Sequence, residues 1–133
     1  MKNVKGYNFS RSFMGERVPQ HVQNIIIKDF CKKNNLNFLL SATEYSMKNS
    51  YYILNQLLNN LNNLDGIVAY SVFQMPYDNL KRKKIFNKIL KKKRLFFACE
   101  NLKISNKKDI DRIENIWSLK KISYKCPKPE QFR

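Results

Sequence analysis

Glycine, proline, cysteine and histidine are all scarce here: three glycines, four prolines, three cysteines and one histidine in 133 residues. So few glycines leave no G-x-G-x-x-G turn and no Walker-type loop, which disfavours a standard dinucleotide or nucleoside-triphosphate site. Cys31, Cys99 and Cys126 are widely spaced with no C-x-x-C pair. With one histidine, they offer neither a disulfide framework nor a metal centre, and reduced, inert thiols are expected. No cofactor is expected. No apolar run approaches the roughly 20 residues of a membrane span. The opening "MKNVKGYNF" lacks the apolar core of a signal peptide, so a cytoplasmic protein without membrane contact is expected.

Acidic residues are also few, ten against 26 lysines and arginines, a net charge of +16. Such a balance can serve a nucleic acid, an anionic surface or an anionic small molecule. Lysine, asparagine and isoleucine together are equally what an AT-rich genome writes. The densest run, "KRKKIFNKILKKKR" (81–94), carries Ile85, Phe86, Ile89 and Leu90 at helical spacing. It reads as the solvated face of an amphipathic helix, and nucleic acid is not the expected partner.

What is present is an alternation of two periods. Strands are expected at 3–9, 36–42, 67–73 and 94–100, with helices at 19–35, 50–64, 79–93 and from Asn106 onward. Val22, Ile25, Ile26 and Phe30 would face the core from the first helix, and Leu54, Leu57, Leu58, Leu61 and Leu64 from the second. Asp65-Gly66 breaks that helix, and "IVAYSVF" reads as a strand buried on both faces. The order β-α-β-α-β-α-β-α implies a three-layer α/β/α sandwich, Rossmann-like, with a mostly parallel four-stranded sheet. One domain spans 1–125, and 126–133 is a proline-marked tail.

Open sheets of this kind bind ligands beyond the carboxyl ends of their strands. Those ends read Ser10-Arg11-Ser12, Ser41 to Tyr45, Ser71 to Gln74, and Glu100-Asn101. Arg11 and Arg17 are candidates to clamp a carboxylate or phosphate, aided by the helix start after Pro19. Gln20, His21 and Asn24 lie on that helix start. Glu44, Glu100 and His21 are candidate proton carriers and Ser10 a candidate nucleophile. Ser12, Ser41, Thr43, Tyr45, Ser71, Gln74 and Asn101 are candidate binding residues.

The blocks "GYNFSRSFMGERVPQHVQN", "LLSATEY", "DGIVAYSVFQMP" and "FACEN" resemble the signature segments of the sporadic carbohydrate cluster proteins. The resemblance spans about residues 6–101. It implies a place in O-antigen or capsule biosynthesis, with a sugar or nucleotide sugar as ligand and biosynthetic enzymes as partners. A sugar-modifying activity of isomerase, epimerase or transferase type would fit, as would a noncatalytic partner subunit or a homo-oligomer. The plan of the chain is also similar to the catalytic domain of serine recombinases, implying a resolvase-like fold. That family reads Tyr-x-Arg-x-Ser at its first strand end. Here Tyr7 is followed by Phe9 at the arginine position, then Ser10 and Arg11. The arginines after the third strand are replaced by "FQMPYDN". Strand exchange is therefore not expected, and a resolvase-like nucleic-acid-binding protein without recombinase activity is the alternative reading.

Overall fold

The computed structural model describes residues 2–47, 49–61, 64–91 and 94–125. The tail at 126–133, Cys126 included, lies outside them. The elements run β1 (Lys2–Phe9), α1 (Gln20–Lys33), β2 (Leu36–Glu44), α2 (Tyr52–Asn59), β3 (Gly66–Ala69), α3 (Asn79–Leu90), β4 (Arg94–Phe97), β5 (Leu102–Ile104) and α4 (Lys107–Lys125). A 3-10 turn at Val72–Gln74 separates β3 from α3.

The sheet has five strands, not four, in the order β2-β1-β3-β4-β5. The first four are parallel and β5 is antiparallel to β4. A turn through Asn101, at φ 54°, folds the chain back so that Leu102 pairs with Phe97. Three residues without alternation give no strand signal, which is why β5 was not expected. The third expected strand also ends early. All four residues of β3 are buried, but Ser71 leaves the ladder to cap the 3-10 turn.

The chain steps from β1 outward to β2, then back across to β3 and β4. Right-handed crossovers therefore place α1 on one face and α2 and α3 on the other. Contacts of α3 with α2 and of α4 with α3 and β5 complete the second layer. Tyr7, Phe9, Ile67, Leu95 and Phe97 join Leu54, Leu57, Leu58, Ile85, Phe86, Ile113 and Trp117 in one core. Leu61 and Leu64 are buried as well, although α2 stops at Asn59. On α1 the buried face is Gln23, Ile27, Phe30 and Cys31, with Ile25 exposed. That face is rotated from the one the apolar residues alone suggest, because it includes a glutamine.

Gly66 is needed for strand spacing. A Cβ there would sit 2.5 Å from the Arg94 carbonyl oxygen on the neighbouring strand. Backbone cannot yield as a side chain can, so Gly66→Ala is expected to cost about 1–3 kcal/mol. Urea denaturation followed by far-UV circular dichroism checks this, and an unchanged midpoint would refute it.

Candidate functional site

Adjacent crossovers leave β1 and β3 in opposite directions, so the switch point of the sheet lies between their carboxyl ends. A cleft of about 710 Å³ opens there. Its walls come from the loops after β1, β2 and β3 and from α4. They are lined by Phe9, Arg11, Ser12, Phe13, Met14, Gly15, Ser46, Asn49, Tyr51, Phe73, Met75, Tyr77 and Trp117.

Local structure explains how the first loop contributes. The Phe13 N–H donates to the Glu16 carbonyl and the Glu16 N–H to the Phe13 carbonyl, at 2.8 and 2.9 Å. Met14 and Gly15 between them both have positive φ, 48° and 76°, the signature of a tight primed turn. The turn drives Phe13 inward, edge-on to Phe9 and Tyr70 at centroid distances of 5.8 and 6.1 Å. From the other wall, Trp117 meets Phe73 and Tyr77 edge-on at 5.3 and 6.0 Å. The Trp117 indole N–H donates to the Val72 carbonyl at 3.2 Å, so the ring is fixed. Two ammonium groups stand at this wall. Lys120 Nζ is 5.2 Å from the Phe73 ring and Lys121 Nζ 4.3 Å from the Tyr77 ring.

Arg11 shapes the cleft instead of reaching across it. Its guanidinium donates to the carbonyls of Tyr45, Met47 and Ser50 at 2.7, 3.1 and 2.9 Å. It also stacks on Phe9 and Tyr51. These bonds bind the β1 exit to the β2 exit. Burial pushes the Tyr51 hydroxyl up, and the nearby Arg11 charge works against that rise. Ser12 is exposed on the rim.

Beneath the cleft the strand ends are joined by polar side chains. Buried Gln23, which polarity had kept off the expected core, accepts from the Phe9 N–H and donates to the Phe9 and Val18 carbonyls. Gln74 donates to the Gln23 side-chain oxygen at 2.7 Å. Ser71 donates its hydroxyl to Glu100 at 2.7 Å and accepts from the Phe73 N–H. The other Glu100 oxygen accepts from the Val72 N–H. Burial pushes the Glu100 carboxyl above its usual range, and these hydrogen bonds pull it partly back. Neighbouring Tyr70 is pushed up to about 12 by burial, with Cys99 and Glu100 adding to the rise. Burial pushes Cys31 up to about 11, which suits an inert thiol.

Glu44 is buried and its carboxylate accepts five hydrogen bonds from the fold. Ser10 donates its hydroxyl to the Glu44 backbone carbonyl at 3.3 Å. The remaining candidates lie outside the cleft. Arg17, Gln20, His21 and Thr43 are exposed, and Asn24 accepts from the Asn8 side chain. Ser41 packs against Gly6, its hydroxyl buried without a partner. Tyr45 is exposed against Tyr52, and Asn101 turns β4 into β5. So of the residues expected to act, Arg11 and Ser12 line the cleft, whereas Ser10, His21, Glu44 and Glu100 do not. The aromatic walls went unrecognised because Phe9, Phe13 and Trp117 are buried rings that residue type alone does not distinguish from core packing.

Among the described residues there is no grouping of three or more metal-ligating side chains, and no helix long and apolar enough to cross a membrane.

No family model and no curated protein matches the chain, so the resemblance to the carbohydrate cluster proteins rests on its quoted blocks alone. Solved structures do match. A resolvase family site-specific recombinase from Streptococcus pneumoniae aligns at a TM-score of 0.65 and 9% identity, over 90% of this chain and 89% of that one. The N-terminal catalytic domain of TP901-1 integrase aligns at 0.59 and 10% identity, over 90% and 95%. At such identities the likeness is one of fold: the chain has a resolvase-like α/β architecture.

Proposed function

We propose that the chain binds a sugar or nucleotide sugar in the aromatic cleft, acting in the cytoplasm in surface polysaccharide synthesis. The observation that carries this reading is a cleft at the switch point faced by the partly exposed rings of Tyr51, Phe73 and Tyr77, with the buried rings of Phe9, Phe13 and Trp117 completing its lining. Such walls suit the apolar face of a sugar ring or a base, while Ser12, Ser46 and Asn49 offer hydrogen bonds at the rim. Lys120 and Lys121 stand beside Phe73 and Tyr77, where a ligand's phosphates would meet positive charge. Arg11, engaged by three carbonyls, supports the walls. The reading is of binding, since the candidate proton carriers lie outside the cleft.

The chain has one tryptophan, Trp117, and it lines the cleft. Titration with UDP-, dTDP- and CDP-linked sugars should change its fluorescence saturably, with calorimetry as the second readout. Tyr77→Ala should weaken binding by about 3- to 10-fold through lost ring contact. No saturable response from the wild type, or equal affinity in Tyr77→Ala, would overturn the reading.

A nucleic-acid reading is favoured by the exposed Lys81, Lys83, Lys84 and Lys88 of α3 beside Lys107, Lys108 and Arg112 of α4, and by the recombinase likeness. Duplex binding with sequence preference and a steep salt slope would support it, whereas uniform weak binding would reduce it to net charge.

A further inference from the structure

The sheet face that carries α1 is covered unevenly. That helix packs on β1 and β2 and reaches β4 through Phe30, whose ring lies 5.8 Å from that of Phe96. Beside Phe96 a second cavity, of about 460 Å³, is bounded by the starts of β1 and β4, the β4–β5 hairpin and the end of α1. It shares no lining residue with the aromatic cleft.

Lys2, Arg94 and Lys103 line this cavity. The pairing explains their meeting. Arg94 and Phe96 alternate onto one face of β4, and Lys103 stands opposite Phe96 on β5. None of the three has an acidic partner among the described residues, where the ion pairs are Lys33–Asp29, Arg82–Glu114 and Lys120–Glu16. Of the flanking carboxylates, Asp29 holds Lys33 and Asp65 accepts from the Asn3 N–H. The carbonyl end of α1 is already met by Lys32, Lys33 and the Asn34 amide on the Phe30 carbonyl. Three unpaired cations around one concavity repel one another, and a bound anion would remove that cost.

We propose that this cavity binds a phosphate-bearing small molecule, its phosphate held by Lys2, Arg94 and Lys103 and its carbon skeleton resting on Phe96. Arginine presents a planar fork to phosphate oxygens while the lysines add point charge. The Asn101 side chain adds a neutral hydrogen-bonding group at the edge. A recess between a helix end and a hairpin suits one or two phosphates. A duplex would instead need a continuous rim of cations.

Inorganic pyrophosphate, titrated calorimetrically and by amide NMR at matched ionic strength, tests this without recourse to the aromatic cleft. Saturable binding is expected, with shifts centred on residues 101–103 and Asn35. Arg94→Gln combined with Lys103→Gln should weaken it about tenfold or more. Lys83→Gln combined with Lys84→Gln removes equal charge from α3 and should leave it unchanged. The amide spectrum of each variant verifies its fold. Absence of saturation, equal weakening by both double variants, or displacement of pyrophosphate by duplex DNA at equal phosphate concentration would overturn the proposal.

Discussion

Arg82→Ala is expected to lower folding stability by about 3–5 kcal/mol, the scale for breaking a buried ion pair. Arg82 is 2% exposed within α3, yet it carries a full charge. Its Nε and Nη2 donate to the two oxygens of Glu114 on α4, at 2.9 and 2.8 Å. Its Nη1 donates to the carbonyls of Pro76 and Tyr77, at 3.0 and 2.6 Å. The guanidinium carbon stands 4.3 Å from the centre of the Trp117 ring. Alanine would leave a half-buried carboxylate and two carbonyls without donors, and a gap beneath the tryptophan. Lysine cannot replace the fork, so Arg82→Lys should recover little. Urea midpoints measured by circular dichroism test this against Lys83→Ala, an exposed neighbour expected to change little. Similar midpoints for Arg82→Ala and Lys83→Ala would refute the role. The same anchor holds the backbone that presents Tyr77, so cleft geometry and α3–α4 packing should weaken together.

That role was not legible in "KRKKIFNKILKKKR". Residue type marks a cation in a lysine-rich helix as solvated, and its partner lies 32 positions away. The alternation of periods did locate all four parallel strands and their helices, because each apolar stripe carries its own local signal. The helix start at Asn106 also has a local cause: its side chain accepts from the Asp109 N–H three residues on. Features made by long-range pairing left no such trace. Gln23 interrupts the apolar stripe of α1, since its burial is offset only by hydrogen bonds to the end of β1, to the Val18 carbonyl and from Gln74. β5 exists because Asn101 reverses the chain against β4. The strand ends were correctly placed at one edge, but their side chains divide between floor, rim and outer surface according to loop geometry that no spacing encodes.

Glu44 illustrates the division, and its substitution should separate an anchor from a catalyst. The residue is 1% exposed at the end of β2. One carboxylate oxygen accepts from the Tyr7 hydroxyl at 2.8 Å and the Leu54 N–H at 3.2 Å. The other accepts from the Tyr45 and Ile53 N–H groups, both at 3.1 Å, and from the Ser50 hydroxyl at 3.2 Å. Ile53 and Leu54 open α2, a helix whose own N-cap, Tyr51, makes no side-chain capping bond. Glu44 therefore caps that helix from a strand, its charge set against the positive end of the helix dipole. Burial and the adjacent carboxylate push the Tyr7 hydroxyl upward, which keeps it a donor. Glu44→Ala would orphan several buried donors and is expected to cost about 3–5 kcal/mol. Glu44→Gln keeps the shape but turns an amide N–H₂ toward donors, for a loss of about 1–3 kcal/mol. Hydrogen exchange supplies the local readout, since protection of the Ile53 and Leu54 amides should fall first in Glu44→Gln. A purely catalytic carboxylate predicts the opposite pattern, an unchanged midpoint and unchanged protection. That outcome would exclude the anchor.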